Sequence, residues 1–199
     1  IAVMDLKTKK IKIISKDLDD DADNLFWSED SKSIYFAFDN RGERTIKQIF
    51  LNGDLNEIAS NVGGTTIGRP YISGGFHVSN GTVAYTYGRS DSPADIGVVI
   101  KGKTKVLTQL NEDILGYRKL GKVNEIIYKS SFDDEEIQGW YITPPNFDPA
   151  KKYPLILEIH GGPHLAYGPH FSAELQIMAA AGYIVFYDNY RGSSSYGED

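Results

Sequence analysis

The chain has 199 residues, 41% of them hydrophobic and 24% charged, with a formal net charge of -6 and no cysteine. Such a composition is that of a globular protein and argues against wholesale disorder, and the negative balance argues against a nucleic-acid or anionic-membrane surface, which needs clustered Lys and Arg to displace counterions. Without cysteine there is no disulfide framework, no thiol nucleophile and no thiolate metal site; the redox compartment is unrecorded, the cytoplasm is the default expectation, and the longest apolar run, residues 177–187, is interrupted by Gly182 and is far shorter than the ~20 residues that cross a bilayer.

The chain opens in a strand pattern (Ile1, Val3, Met4, Leu6) with no initiator Met, and closes in a polar stretch over 193–199, so it reads as a piece of a longer protein. Residues 4–15, 49–60 and 98–108 share one form: an apolar strand, a polar turn, and a short strand ending in a small polar residue. Their anchors Ile14, Ala59 and Leu107 recur at spacings of 45 and 48, near the ~40 to 50 residues of a propeller blade. Between them, Trp27 to Phe38 carries a polar turn feeding an aromatic and aliphatic run, as in the blade motif W-S-x-D-G-K-x-I, with Ser31 where glycine is usual. The matching part of the next blade, residues 76–85, is weaker, and Asn80 with Gly81 is its clearest hairpin signal. The pattern predicts the end of one blade plus two further blades.

After Leu110 the pattern changes. Residues 125–129 and 137–142 are strand-like and flank the acidic turn at 133–136, which predicts a hairpin. Pro144, Pro145 and Pro149 then break regular structure. Residues 153–159 form an apolar run with Glu158 as its one charge, the pattern of a central strand covered on both faces. Phe171, Leu175 and Met178 recur at helical spacing, Gly182 stands where a helix would end in a left-handed turn, and residues 183–187 read as the next strand. Strand, Gly-rich turn, helix and strand make a βαβ unit, hence a parallel pair. A boundary near residues 111–122 divides the chain into 1–115, patterned as a partial propeller, and 116–199, patterned as the start of an α/β domain.

The strand leads into His160, Gly161, Gly162, Pro163 and His164, and the next strand into Asn189, Tyr190, Arg191, Gly192 and Ser193. Together with Lys151, Tyr153, Pro154 and Ile156 before them and Tyr196 and Gly197 after, these residues resemble the prolyl oligopeptidase family of serine peptidases, particularly its acylaminoacyl-peptidase and dipeptidyl-peptidase-like branches. The acidic hairpin through Trp140 and the Pro-rich segment over 143–149 extend the likeness. Two departures are visible: Asp134 replaces a glycine of the hairpin, and Tyr190 stands where proline is common. Neither touches the expected chemistry, and Asp tolerates a left-handed turn better than most residues.

The resemblance implies a β-propeller (its C-terminal blades only) followed by the N-terminal part of an α/β-hydrolase domain over 116–199, truncated before the nucleophile, acyl-enzyme chemistry on short peptides, and an oxyanion hole with the backbone N–H of Gly162 as one donor. Gly161, His160, Pro163 and His164 would lie at the substrate cleft, with Asn189 and Arg191 structuring the loop that follows the next strand. The alternative for Gly161 and Gly162 is a tight turn without chemistry. The catalytic Ser, Asp and His are expected outside these residues: the chain has no G-x-S-x-G, and Ser195 lacks the preceding glycine of a nucleophile elbow. His160 reads as a hydrogen-bonded strand-end residue, while His164 and His170 would line or flank the cleft. The glycines and proline between His160 and His164 forbid a helical metal pair, and Asp17, Asp19, Asp21 and Asp23 lack the glycine and bidentate glutamate of a calcium loop; no metal or cofactor is expected. The partners expected are a peptide substrate and the remainder of the polypeptide, without nucleic acid or membrane, and a homo-oligomer stays open. A non-catalytic propeller binding module with a degenerate hydrolase tail, and an esterase, are the alternative readings.

Overall fold

In the computed structural model, which describes residues 1–162 and 164–197, the alternating patterns of the first half become antiparallel strands. β1 (Ala2–Met4) and β2 (Ile11–Ile13) form a hairpin. β3 (Ala22–Trp27), β4 (Ser33–Asn40), β5 (Glu43–Phe50) and β6 (Leu55–Val62) follow as a meander in sequence order. A second meander comprises β7 (Phe76–Ser79), β8 (Thr82–Arg89), β9 (Ser92–Ile100) and β10 (Lys103–Val106). A single residue pair, Val62 with Tyr87, joins β6 to β8. The described residues thus hold two four-stranded units and a hairpin with open edges, and no closed propeller.

Local chemistry explains the turns. Ser31 takes the position usual for glycine and adopts a left-handed φ of 56°, while the Asp30 carboxylate accepts from the Ser28 hydroxyl and the Lys32 N–H and so stabilises the strained turn. Asn80 and Gly81 are both left-handed, at φ 49° and 67°, as a two-residue hairpin turn requires. Ile34, Phe36, Phe38 and Ile49 of the first meander bury with Ile14 from the preceding hairpin. Ile46, Ala59 and Val62 bury with Val83, Tyr85 and Val99, so the two meanders share a core. Of the repeat anchors, Ile14 and Ala59 are buried but Leu107 is not: it lies just past β10, where its N–H donates to the Ile96 carbonyl at 2.7 Å.

The second half begins with a one-turn helix, α1 (Glu112–Leu115), that the sequence pattern did not anticipate. β11 (Lys122–Lys129) and β12 (Glu136–Thr143) then form the expected hairpin, in which Asp134 is left-handed at φ 61°. β13 (Leu155–Glu158), α2 (Ala173–Ala180) and β14 (Ile184–Asn189) form the βαβ unit, with β13 and β14 parallel. The Ser172 hydroxyl caps α2 by accepting from Leu175 N–H. At its other end Gly182, at φ 98°, lets the Gly182 and Tyr183 N–H groups reach back to the Ala179 and Met178 carbonyls, a Schellman closure.

The strand order is β11-β12-β14-β13, so β14 runs between its two neighbours and β13 takes the edge of the described sheet. Among the described residues β13 is therefore not the central strand expected. Trp140, Ile142, Tyr167, Leu175, Ala179, Val185 and Tyr187 form the core on one face, whereas Leu155 and Leu157 on the other are more than half exposed. α2 lies on the first face only.

The two halves meet through backbone as well as side chains. Tyr71, from the segment between β6 and β7, bridges Tyr167. Ile72 N–H donates to the Ala166 carbonyl, Gly168 N–H to Pro70, and Ala173 N–H to Ile67. A Cβ at Gly168 would collide with the Gly42 carbonyl oxygen, so only glycine fits where the β4–β5 turn approaches.

Candidate functional site

β13 and β14 end side by side, since Glu158 pairs with Tyr187 in the parallel register. The residues just past those ends are therefore neighbours. His160 is buried. Its ring stacks on Tyr190, with centroids 4.6 Å apart and planes inclined by 21°, and meets Tyr167 edge to face at 5.0 Å. The Tyr190 hydroxyl donates to the His160 carbonyl at 2.8 Å. His160 Nδ1 lies 2.9 Å from the Gly161 carbonyl; a carbonyl only accepts, so Nδ1 carries the hydrogen in that contact. Nε2 lies 3.1 Å from the Ser193 hydroxyl, which also reaches the Tyr190 carbonyl at 2.6 Å.

Gly161 and Gly162 are exposed at the end of this buried support. Their requirements differ. A Cβ at Gly161 would meet nothing within 4 Å, whereas Gly162 has φ 137° and a Cβ there would sit 2.9 Å from the His164 nitrogen. At 162, glycine is demanded by both conformation and space. Among the described residues neither glycine N–H donates to a protein acceptor. His164 is exposed, and Pro163 lies outside the described residues.

Glu158, the lone charge of β13, is held from both halves. Its Oε1 accepts from the Tyr167 hydroxyl at 3.1 Å and from Arg69, whose Nε also contacts Glu174 at 3.3 Å. Tyr167 is buried, and its phenol is pushed far above the ordinary tyrosine value, chiefly by burial, so it serves as a neutral donor.

Asn189 is buried and grips Tyr167 at both backbone groups: its Oδ1 accepts from Tyr167 N–H and its Nδ2 donates to the Tyr167 carbonyl, each at 2.8 Å. Nδ2 also donates to Tyr196, whose hydroxyl donates to Gln138 at 2.6 Å and whose pKa burial pushes up to about 12. Arg191 pairs with Asp133 of the β11–β12 hairpin. Ser195 is buried, at φ 78°, and its hydroxyl accepts the Gly42 N–H at 3.0 Å.

His170, expected to line or flank the cleft, is not exposed. It is buried against Gly63 and Gly168 where the two halves pack, because the short loop between the 160–162 turn and α2 must cross that contact. Sequence reasoning placed Tyr190 and Ser193 in its motif without giving either a role, and passed over Tyr167 and Arg69. The signal available was the βαβ unit itself, which brings the C-terminal ends of its two strands together.

The family model described as Prolyl oligopeptidase family matches residues 169–199. The chain is 31% identical over 176 residues, 87% of its length, to a protein of Bacillus subtilis named Uncharacterized peptidase YuxL, of which it covers 25%. It is 29% identical over 98% of its length to Dipeptidyl-peptidase 5 of Porphyromonas gingivalis, of which it covers 28%. Among solved structures it is similar to acylaminoacyl peptidase of Pyrococcus horikoshii, with a TM-score of 0.77 and 28% identity over 94% of this chain and 28% of that one. It is also similar to an acylaminoacyl peptidase in complex with Z-Gly-Gly-Phe-chloromethyl ketone, with a TM-score of 0.78, 28% identity and the same coverage. The chain thus spans about a quarter of the length of the relatives it matches.

Proposed function

From a chain related to the prolyl oligopeptidase family of serine peptidases, we propose that it is part of a serine peptidase that hydrolyses short peptides through an acyl-enzyme, and that it contributes one backbone donor to the oxyanion hole, the N–H of Gly162. The observation that carries this reading is the exposed, left-handed Gly162 at the end of β13, its N–H without a protein acceptor among the described residues. A fixed N–H aimed at an open face stabilises the negative charge that develops on a carbonyl oxygen during acyl transfer.

The rest of the site belongs to the same proposal. Gly161, Pro163 and His164 border the substrate, and His160, Asn189 and Arg191 support the turns that do so. Residues 1–115, the first hairpin and the two meanders, are the end of one blade and two further blades of a propeller that limits access to the hydrolase domain over 116–199, and the chain by itself is inactive because no triad mechanism runs without nucleophile, base and acid.

The test uses the polypeptide that carries this chain at full length. A fluorophosphonate probe should label it, and it should cleave peptide anilides. Gly162→Ala should lower kcat on those substrates by about 10² or more, the loss that follows when one oxyanion donor is displaced. Gly161→Ala should leave thermal stability within about 0.5 kcal/mol, as for other unstrained exposed sites. Absence of labelling would instead assign the protein to non-catalytic binding, and turnover of esters without peptides would make it an esterase.

A further inference from the structure

We propose that Tyr190 is a positioning residue for the 160–162 turn: its hydroxyl and ring hold His160, and through His160 they aim the Gly162 N–H outward. The argument rests on two peptide planes. In a trans peptide the carbonyl and the following N–H lie in one plane and point in opposite directions. The His160 carbonyl is held by the Tyr190 hydroxyl at 2.8 Å, so the Gly161 N–H points away from Tyr190. The Gly161 carbonyl is held at 2.9 Å by Nδ1 of the His160 ring, so the Gly162 N–H points away from that ring, which is buried. Orienting Gly162 therefore requires the imidazole to stay in one rotamer, and the Tyr190 ring stacked at 4.6 Å provides that restraint.

Tyr190 is itself fixed. Its carbonyl accepts from the Ser193 N–H, and the Ser193 hydroxyl, with one hydrogen to give, lies within reach of both that carbonyl and the far nitrogen of the imidazole. His160 is thus gripped at its carbonyl, its ring face and Nε2 by residues that all lie just past β14. No other side chain reaches the turn among the described hydrogen bonds, and Gly161 has nothing within 4 Å of where a Cβ would be. A proline at 190 would supply neither the ring stack nor the hydroxyl.

This deepens the reading of Gly162 as an oxyanion donor and rests on it for its catalytic consequence, but the clamp itself is measurable without catalysis. In the full-length protein, Tyr190→Phe keeps the ring and removes the hydroxyl, and Tyr190→Leu removes both. Exchange of the buried His160 Nδ1–H, followed in protein labelled with 15N-histidine, should accelerate about fivefold in the first, as for loss of one neutral hydrogen bond, and further in the second, with backbone exchange in α2 and in β4 and β5 unchanged. For peptide substrates kcat should fall by about the same factor in Tyr190→Phe while KM stays within about twofold, since an effect confined to the transition state leaves ground-state binding intact. Faster exchange with unchanged kcat would uphold the clamp and overturn the oxyanion role of Gly162. Unchanged exchange in both variants, or acceleration spread equally through β4, β5 and α2, would overturn the proposal and leave Tyr190 an ordinary packing residue.

Discussion

Arg69 and Glu158 form an ion pair across the junction of the two halves in which the carboxylate is the more buried partner, 13% of its side chain exposed against 40% for the guanidinium. The asymmetry sets what each substitution does. Arg69→Met leaves a largely desolvated carboxylate with one neutral donor, Tyr167, and should destabilise the protein by about 1–3 kcal/mol. Glu158→Gln combined with Arg69→Met removes the stranded charge and should recover part of that loss. Urea unfolding of the four proteins of the double-mutant cycle gives the coupling, expected at about 1 kcal/mol or more; a value near zero would place the pair with ordinary solvated surface bridges.

His170 makes the same junction sensitive to acid. Burial holds its pKa down, to about 4 from the usual 6.5, against smaller opposing contributions from the Gly42 backbone and Asp39, and Arg44 lowers it further. No partner for Nε2 lies within hydrogen-bond distance among the described residues. A histidine held neutral in the folded state binds its proton more readily when unfolded, so its contribution is full above pH 6.5 and is lost as the pH falls towards 4. The loss should reach about 3 kcal/mol at and below pH 4. Replacing His170 with Gln removes the titration, so the unfolding free energy of this variant should fall less steeply between pH 6.5 and 4 than that of the parent; parallel pH profiles would show that the histidine is already solvated.

Features set by a few adjacent residues were legible in the sequence. Asn80 with Gly81, Asp134 and Gly182 each announce a left-handed backbone position, and each has one. The hairpins and the βαβ unit follow from periodicity, which reports which face of a segment is buried. Contacts between residues far apart in sequence were not legible in this way. Tyr190 read as a neutral departure at a family position, yet it lies on His160, thirty residues earlier, because β14 pairs beside β13 in parallel register. His170, expected to line or flank the cleft, is carried by the path of its loop into the junction, where the small Gly63 and Gly168 leave it room. α1 was missed because four residues are too few to develop a period.

Among the described residues the sheet of the second half has one face without cover, and this has a consequence in solution. In the register of β11, β12, β13 and β14, Ile126, Tyr128, Leu155 and Leu157 point to the face opposite the Trp140 and Tyr187 core, and all four are exposed. The outer edge of β13 is also unpaired among the described residues. An exposed apolar face beside an open strand edge favours pairing with another chain. The 199-residue chain expressed alone should therefore bind the dye ANS and self-associate in a concentration-dependent manner by sedimentation. Replacing Leu155 and Leu157 with Lys should reduce both effects without exposing the core, since neither side chain belongs to it. Cooperative melting of the unsubstituted chain as a monomer without ANS binding would mean that the exposed face is tolerated in water and that the two halves form a self-sufficient unit.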